Sequence, residues 1–117
     1  MNGPAILCLG NDASLLQTRT MVLQTRFGVS HCSTPSEAAA RWPGCPFEVI
    51  VLCHTLSDRE FDEAERYAQQ RTPPAHLLAL QAVRPVHSSR SARAVRNLDG
   101  PEPLLRAVTE LIRASQA

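Results

Sequence analysis

The sequence predicts an α/β fold in which a doubly wound parallel sheet carries helices on both faces. The clearest sign is the unbroken apolar, β-branched run at residues 49–53, which is typical of a strand buried on both faces. Further short apolar runs alternate with segments of helical periodicity. Two of those segments begin with a Ser/Thr-x-x-Glu capping signature. Such alternation predicts strands that run parallel and are joined by right-handed crossover helices.

The first half of the chain predicts two strands and two helices. Residues 5–9 (AILCL) form the first strand, and residues 12–26 form a helix with Asn11 or Asp12 as its N-cap. Residues 29–32 form a second short strand. Thr34 begins the next helix, with Pro35 in the first helical position and Glu37 completing a capping box. That helix is brief, because the segment Trp-Pro-Gly follows it at 42–44.

The second half begins with the central strand, predicted over residues 47–53. Ser57 caps a helix that extends to about Gln70. Residues 76–82 (HLLALQA) and 92–96 form the fourth and fifth strands, and a last helix begins at 99–102. Residues 83–91 contain proline, serines and arginines without an apolar stripe, and they predict a loop or a single helical turn.

Composition bounds the function. The chain has 117 residues, 44% of them apolar, which predicts one globular domain over residues 1–117. Twelve basic and eleven acidic residues leave a net charge of +1, so no nucleic-acid or membrane partner is indicated. All twelve basic residues are arginines. Four cysteines without C-x-x-C spacing, and the lack of a signal-peptide pattern at the N-terminus, predict a reduced, cytoplasmic protein.

At this point the chain resembles the receiver (CheY-like) domain of bacterial two-component response regulators. The resemblance rests on the stretches ILCLGNDASLL, FEVIVLCHTL and NLDGPEPLLRAVTEL. It implies a flavodoxin-like five-stranded sheet of order 2-1-3-4-5, with the fourth helix shortened or missing here. It also implies a stand-alone module, without enzymatic activity of its own, in two-component (phosphorelay) signal transduction.

The resemblance places the receiver's reactive positions on residues of the wrong chemistry. Cys53 stands at the phosphoacceptor position, which is an Asp in receivers. Gly10, Asn11 and Asp12 stand at the acidic turn that holds Mg²⁺, so a single carboxylate is left there. Gln81 and Asn97 align with the Ser/Thr and Lys switch positions. A thiol cannot replace the carboxylate nucleophile, and Mg²⁺ prefers several hard oxygen ligands. We therefore expect a pseudo-receiver that acts by phosphorylation-independent protein–protein interaction, with no metal and no cofactor.

Other interpretations stay open. Cys53 could be a thiol redox switch, or a small residue that fills the former acidic pocket. A metal site is a further alternative, although the spacing of its ligands matches no zinc pattern. Its candidate ligands are Cys8, His31, Cys32, Cys53 and His54. The sequence from 84 to 96 is rich in arginine, and it is either a solvated loop or a docking surface for an acidic partner or a phosphate group. Its candidate docking residues are Arg84, Arg90, Arg93 and Arg96. The last helix offers a surface for a homodimer, although its apolar face is more often core.

Overall fold

The computed structural model describes residues 5–27, 29–53, 56–71, 74–81, 92–96 and 101–116. Five parallel strands form one sheet in the order β2-β1-β3-β4-β5. The strands are β1 (Ala5–Leu9), β2 (Val29–Ser33), β3 (Val49–Leu52), β4 (His76–Gln81) and β5 (Ala92–Arg96). The helices are α1 (Ala13–Gln24), α2 (Pro35–Arg41), α3 (Asp58–Ala68) and α4 (Pro101–Gln116). The predicted α/β fold and its strand order are confirmed, while the predicted loop at 83–91 lies outside the described residues.

Helix starts follow the predicted capping chemistry. Asp12 is the N-cap of α1, and its carboxylate accepts a hydrogen bond from the Leu15 amide. Thr34 caps α2, with its side chain accepting from the Glu37 amide. A complete capping box opens α3, in which the side chains of Ser57 and Glu60 accept hydrogen bonds from each other's amides. Each cap satisfies amides that a helix leaves without a partner, so these residues fix where the helices begin.

Some boundaries differ from the sequence pattern. The central strand is Val49–Leu52, shorter at both ends than the predicted 47–53. Phe47 and Cys53 are nevertheless buried, at 1% and 2% exposure, because the chain stays in the core before and after the ladder. The Glu48 and Cys53 amides still donate to the Ala5 and Leu9 carbonyls, so backbone pairing continues one residue past each end of the strand.

Alternate strand residues divide the core into two halves. One half, here called the thiol face, is covered by α1 and α4 and contains Cys8, Cys32 and Cys53. The other half, here called the aromatic face, is covered by α2 and α3 and contains Trp42, Phe47, Phe61 and Tyr67. Because strand side chains alternate, β1 and β3 contribute to both halves. Both faces of these strands are therefore buried, as the continuous apolar runs predict.

A tight turn leads from α2 toward β3. Gly44 and Cys45 have φ values of 81° and 51°, both in the left-handed region. The Gly44 amide donates to Gln70 Oε1 at 3.3 Å, which ties the turn to the end of α3. The buried Cys45 then joins the aromatic face. Among the helices that the structure describes, none is long and apolar enough to cross a membrane.

Candidate functional site

The candidate site lies where β1 and β3 end, at the carboxyl edge of the sheet. The Cys53 amide donates to the Leu9 carbonyl at 2.9 Å, and the Gly10 amide donates to the Ser33 carbonyl at 3.2 Å. These bonds continue the two ladders by one residue past each strand. They hold Gly10 and Cys53 side by side at the edge where parallel α/β sheets usually place their ligands.

Asn11 and Asp12 make local contacts at this edge. The Asn11 amide nitrogen donates to Glu60 Oε1 at 2.8 Å, which joins the turn after β1 to the first turn of α3. The Asp12 Oδ1 accepts from the Leu15 amide at 3.1 Å. The single carboxylate of the turn is therefore used as a helix cap.

Glu60 was not predicted as a site residue, although the sequence predicts it as the glutamate of the capping box that begins α3. Its Oε1 also accepts from the Ser57 amide at 3.1 Å. The hydrogen bond from Asn11, followed by those from Ser57, lowers the pKa of the Glu60 carboxyl below its ordinary value. The carboxylate is thus stabilised in its ionised form by two neighbouring loops.

Cys53 contacts a second cysteine on the thiol face. In the β1–β3 register Cys8 lies opposite Val51, and Cys53 follows two residues later on the same side of the strand. The two sulfur atoms are 3.6 Å apart, and both thiols are buried and free. Cys32 lies opposite Cys8 across the β1–β2 ladder and is half-buried. The sequence places these cysteines on neighbouring strands, and the register brings Cys8 and Cys53 into contact.

Arg19 supplies a positive charge beside this pair. It lies on α1 and is only 7% exposed. The hydrogen bond with Cys8 and, after it, the charge and hydrogen bond of Arg19 outweigh burial and lower the pKa of the Cys53 thiol to about 7. The same Cys8–Cys53 hydrogen bond, together with burial, raises the pKa of Cys8 well above its ordinary value. Arg19 thus favours Cys53 as the thiol that ionises, and either sulfur can donate the hydrogen bond while both thiols are neutral.

Sequence reasoning missed Arg19. The signal was available, because Arg19 occupies the same helical stripe as Leu16, Thr20 and Leu23, which the periodicity assigns to the core. An arginine within such a stripe is buried only beside a group that accepts its hydrogen bonds or charge. The sequence alone does not identify that group.

The remaining predicted residues are only partly described. Gln81 is the last residue of β4, and Arg93 and Arg96 lie on β5 opposite Leu78 and Gln81. The structure gives their backbone positions and not their side chains. Asn97, Arg84, Arg90 and His54 lie outside the described residues. The switch positions and the docking surface therefore stay predictions.

The described residues offer no group of three or more His, Cys, Asp or Glu side chains arranged to hold a metal ion. His31, one of the candidate ligands, is on the opposite side of β2 from Cys32. Its ring packs against Trp42 at a centroid distance of 5.2 Å and against Phe47 at 6.1 Å.

Comparisons with known proteins support the fold. No family model and no curated protein matches the sequence. A response regulator receiver domain protein from Bacillus halodurans is structurally similar, with a TM-score of 0.73 and 12% identity over 94% of this chain and 97% of that chain. A two-component transcriptional regulator AraC from Clostridium phytofermentans gives the same TM-score and identity over 94% of this chain and 92% of that one. The chain has the fold of response regulator receiver domains, and the low identity restricts the comparison to the fold.

Proposed function

We propose that this chain is a receiver-like signalling module that acts by protein–protein contact without being phosphorylated. The observation that carries the proposal is the chemistry at the end of β3. Cys53 is buried there and in contact with Cys8, and the resemblance aligns it with the Asp that accepts the phosphoryl group in receivers. A thiol does not form the acyl phosphate on which that mechanism depends.

The groups around Cys53 support the same conclusion. Receivers surround their phosphoacceptor with carboxylates that hold Mg²⁺, whereas the charge that acts most strongly on Cys53 is the cation of Arg19. Asp12 caps α1, and Asn11 is an amide that binds Glu60. Mg²⁺ requires near-octahedral oxygen coordination with charge neutralisation, which a thiol, an amide and a capping carboxylate supply poorly.

Phosphorylation is tested by incubating the protein with acetyl phosphate and Mg²⁺, and measuring its intact mass. We expect no phosphoryl adduct, while a phosphorylatable receiver treated in parallel acquires one. A mass increase of one phosphoryl group that maps to Asp12, or to any other carboxylate at this edge, would overturn the proposal.

We propose protein as the partner class, with the arginine-rich 84–96 segment as the docking surface for an acidic partner. The matched test compares two fourfold Arg→Gln variants in a pull-down from the native host. One carries the changes at Arg84, Arg90, Arg93 and Arg96, and its control carries them at the exposed residues Arg26, Arg66, Arg106 and Arg113. Both lose the same charge. We expect only the first to lose its partner, and equal losses would contradict a localised docking surface.

A thiol switch centred on Cys53 is the second candidate function. The specific observation that favours it is the approach of Cys8 and Arg19 to the Cys53 sulfur. It is compatible with a docking role, because a change at the sheet edge would alter the surface that a partner meets.

A further inference from the structure

We propose that Cys53 and Cys8 form a reversible dithiol–disulfide site, in which Cys53 reacts with a hydroperoxide and Cys8 resolves the product. The proposal deepens the thiol-switch candidate and does not depend on the docking role. Its product is an intrachain disulfide that joins β1 to the end of β3.

The geometry brings both sulfur atoms into van der Waals contact. They are 3.6 Å apart, and a disulfide bond is about 2.05 Å long, so closure requires a shift of about 1.5 Å. Cys8 lies within β1, whereas Cys53 follows the last residue of β3, and its carbonyl accepts from the Leu56 amide at 3.2 Å. The Cys53 amide is bonded to the Leu9 carbonyl, so closure depends on side-chain rotation and on a small shift of this end of the strand.

Arg19 decides which of the two thiols reacts first. Thiolates and not thiols are the nucleophiles, and a neighbouring cation favours the thiolate. The guanidinium charge lowers the pKa of both thiols, and a hydrogen bond from the same group adds to this effect at Cys53 alone. Asp12 is the opposing charge and acts in the other direction on Cys53, with a smaller effect than Arg19. The local charges thus assign Cys53 as the attacking sulfur.

The chemistry balances with one hydroperoxide molecule. The Cys53 thiolate attacks one peroxide oxygen, the O–O bond breaks, and hydroxide leaves with Cys53 oxidised to a sulfenic acid. The Cys8 sulfur then attacks the Cys53 sulfur, the S–O bond breaks, and the departing hydroxyl takes the Cys8 proton to leave as water. Two thiols and hydrogen peroxide become one disulfide and two waters, and a small dithiol reductant restores the starting state.

The other two cysteines provide internal controls. Cys45 lies on the aromatic face, and burial raises the pKa of its thiol. Its hydrogen bond to the Phe47 backbone and the charge of Arg71 lower this pKa by smaller amounts. Cys32 lies opposite Cys8 in the ladder and is an alternative partner for it. A selective site therefore predicts a Cys8–Cys53 bond in preference to Cys8–Cys32.

The test exposes the reduced full chain to hydrogen peroxide, which is small enough to approach two buried thiols, and follows intact mass and peptide maps with time. We expect the loss of two hydrogen atoms and a Cys8–Cys53 cross-linked peptide, in wild type and in Cys45→Ser alike. Cys53→Ser should abolish the cross-link. Cys8→Ser should leave a sulfenic acid at Cys53 that dimedone traps.

Arg19 is tested as a positioning residue by the pH profile of oxidation. Arg19→Met should slow oxidation roughly five- to tenfold at pH 7 and move the profile to higher pH, and Arg19→Lys should restore most of the rate. If Arg19→Met fails to fold, the wild-type profile still tests the ionisation of Cys53. Its oxidation rate should rise with pH and reach half of its maximum near pH 7.

Three outcomes would overturn the proposal. The first is a Cys8–Cys32 disulfide, and the second is a disulfide between two chains. The third is that no cysteine is oxidised in the folded protein and all four are oxidised equally once it unfolds. The pull-down and acetyl phosphate experiments use fully reduced protein. Failure of the dithiol site is therefore distinguishable from failure of the receiver-like role.

Discussion

The two faces of the sheet bury cysteines in opposite chemical environments. On the thiol face, Cys53 contacts Cys8 and Arg19, which lower the pKa of its thiol. On the aromatic face, Cys45 packs beside Phe47 and Tyr67, and burial raises the pKa of its thiol. Both cysteines are nearly inaccessible, at 2% and 1% exposure. Burial alone therefore does not set the pKa of a cysteine thiol. The hydrogen-bond partner and the cation beside Cys53 lower its pKa despite burial.

The aromatic face is organised by ring contacts. Trp42 and Phe47 meet edge to face, with ring centroids 5.2 Å apart at 84°. The Arg41 guanidinium carbon lies 4.9 Å from the Trp42 ring centroid on the outer side, and the Tyr67 hydroxyl donates to the Trp42 carbonyl at 2.6 Å. These arrangements are those that aromatic rings and cations favour, so this face is expected to stabilise the fold.

Removing the central ring should have the largest effect. Phe47→Ala is expected to cost about 3–5 kcal/mol of unfolding free energy, because it empties a buried site and removes the edge-to-face contact. Phe27→Ala, on the thiol face, is the matched control and should cost less, since Phe27 lies at 8% exposure beyond the end of α1. Urea denaturation measures both. Equal losses would show that the Trp42–Phe47 contact adds nothing specific.

The second largest effect should be a dependence of the unfolding free energy on pH that comes from the thiol face and not from the aromatic face. The folded pKa of Cys53, about 7, is below the ordinary 9.0, so its stabilising contribution is present above pH 9 and is lost as the pH falls through 7. Between these values the wild type should gain on the order of 2 kcal/mol. Above pH 9 the raised pKa of Cys8 should reverse the trend.

Denaturation at several pH values measures this dependence. Cys53→Ser should remove the rise between pH 7 and 9, and Cys45→Ser should keep it. A rise that persists in Cys53→Ser would assign the effect to another group.

The smallest comparison removes one buried hydroxyl from each face. Tyr67→Phe leaves the Trp42 carbonyl without its side-chain donor and should cost about 1 kcal/mol. Thr20→Val removes a hydroxyl that only donates back to the Leu16 carbonyl within α1, at 2.7 Å, and should change stability by less than about 0.5 kcal/mol. Thermal unfolding of the two variants is sufficient, and the reverse order would contradict this account of the faces.

The sequence predicts the fold well because its signals are local. Apolar runs mark the strands, and the caps at Thr34 and Ser57 mark helix starts to the residue. The candidate site is less predictable because its contacts join distant parts of the chain. Asn11 and Glu60 are 49 positions apart, and Cys8 and Cys53 are 45 apart. No periodicity reports which residues meet across a sheet edge, and only the β1–β3 register supplies that information.

The turn at Gly44 and Cys45 has a consequence for how freely this chain can vary. A methyl group placed on Gly44 would meet nothing within 4 Å, so space does not restrict that position. Its φ of 81° does, because side chains with a β-carbon rarely tolerate that backbone angle. Replacing Gly44 by any other residue should therefore strain the backbone, although the surroundings leave room for a side chain. A surface position that looks permissive by volume is in this way among the more restricted ones of the molecule.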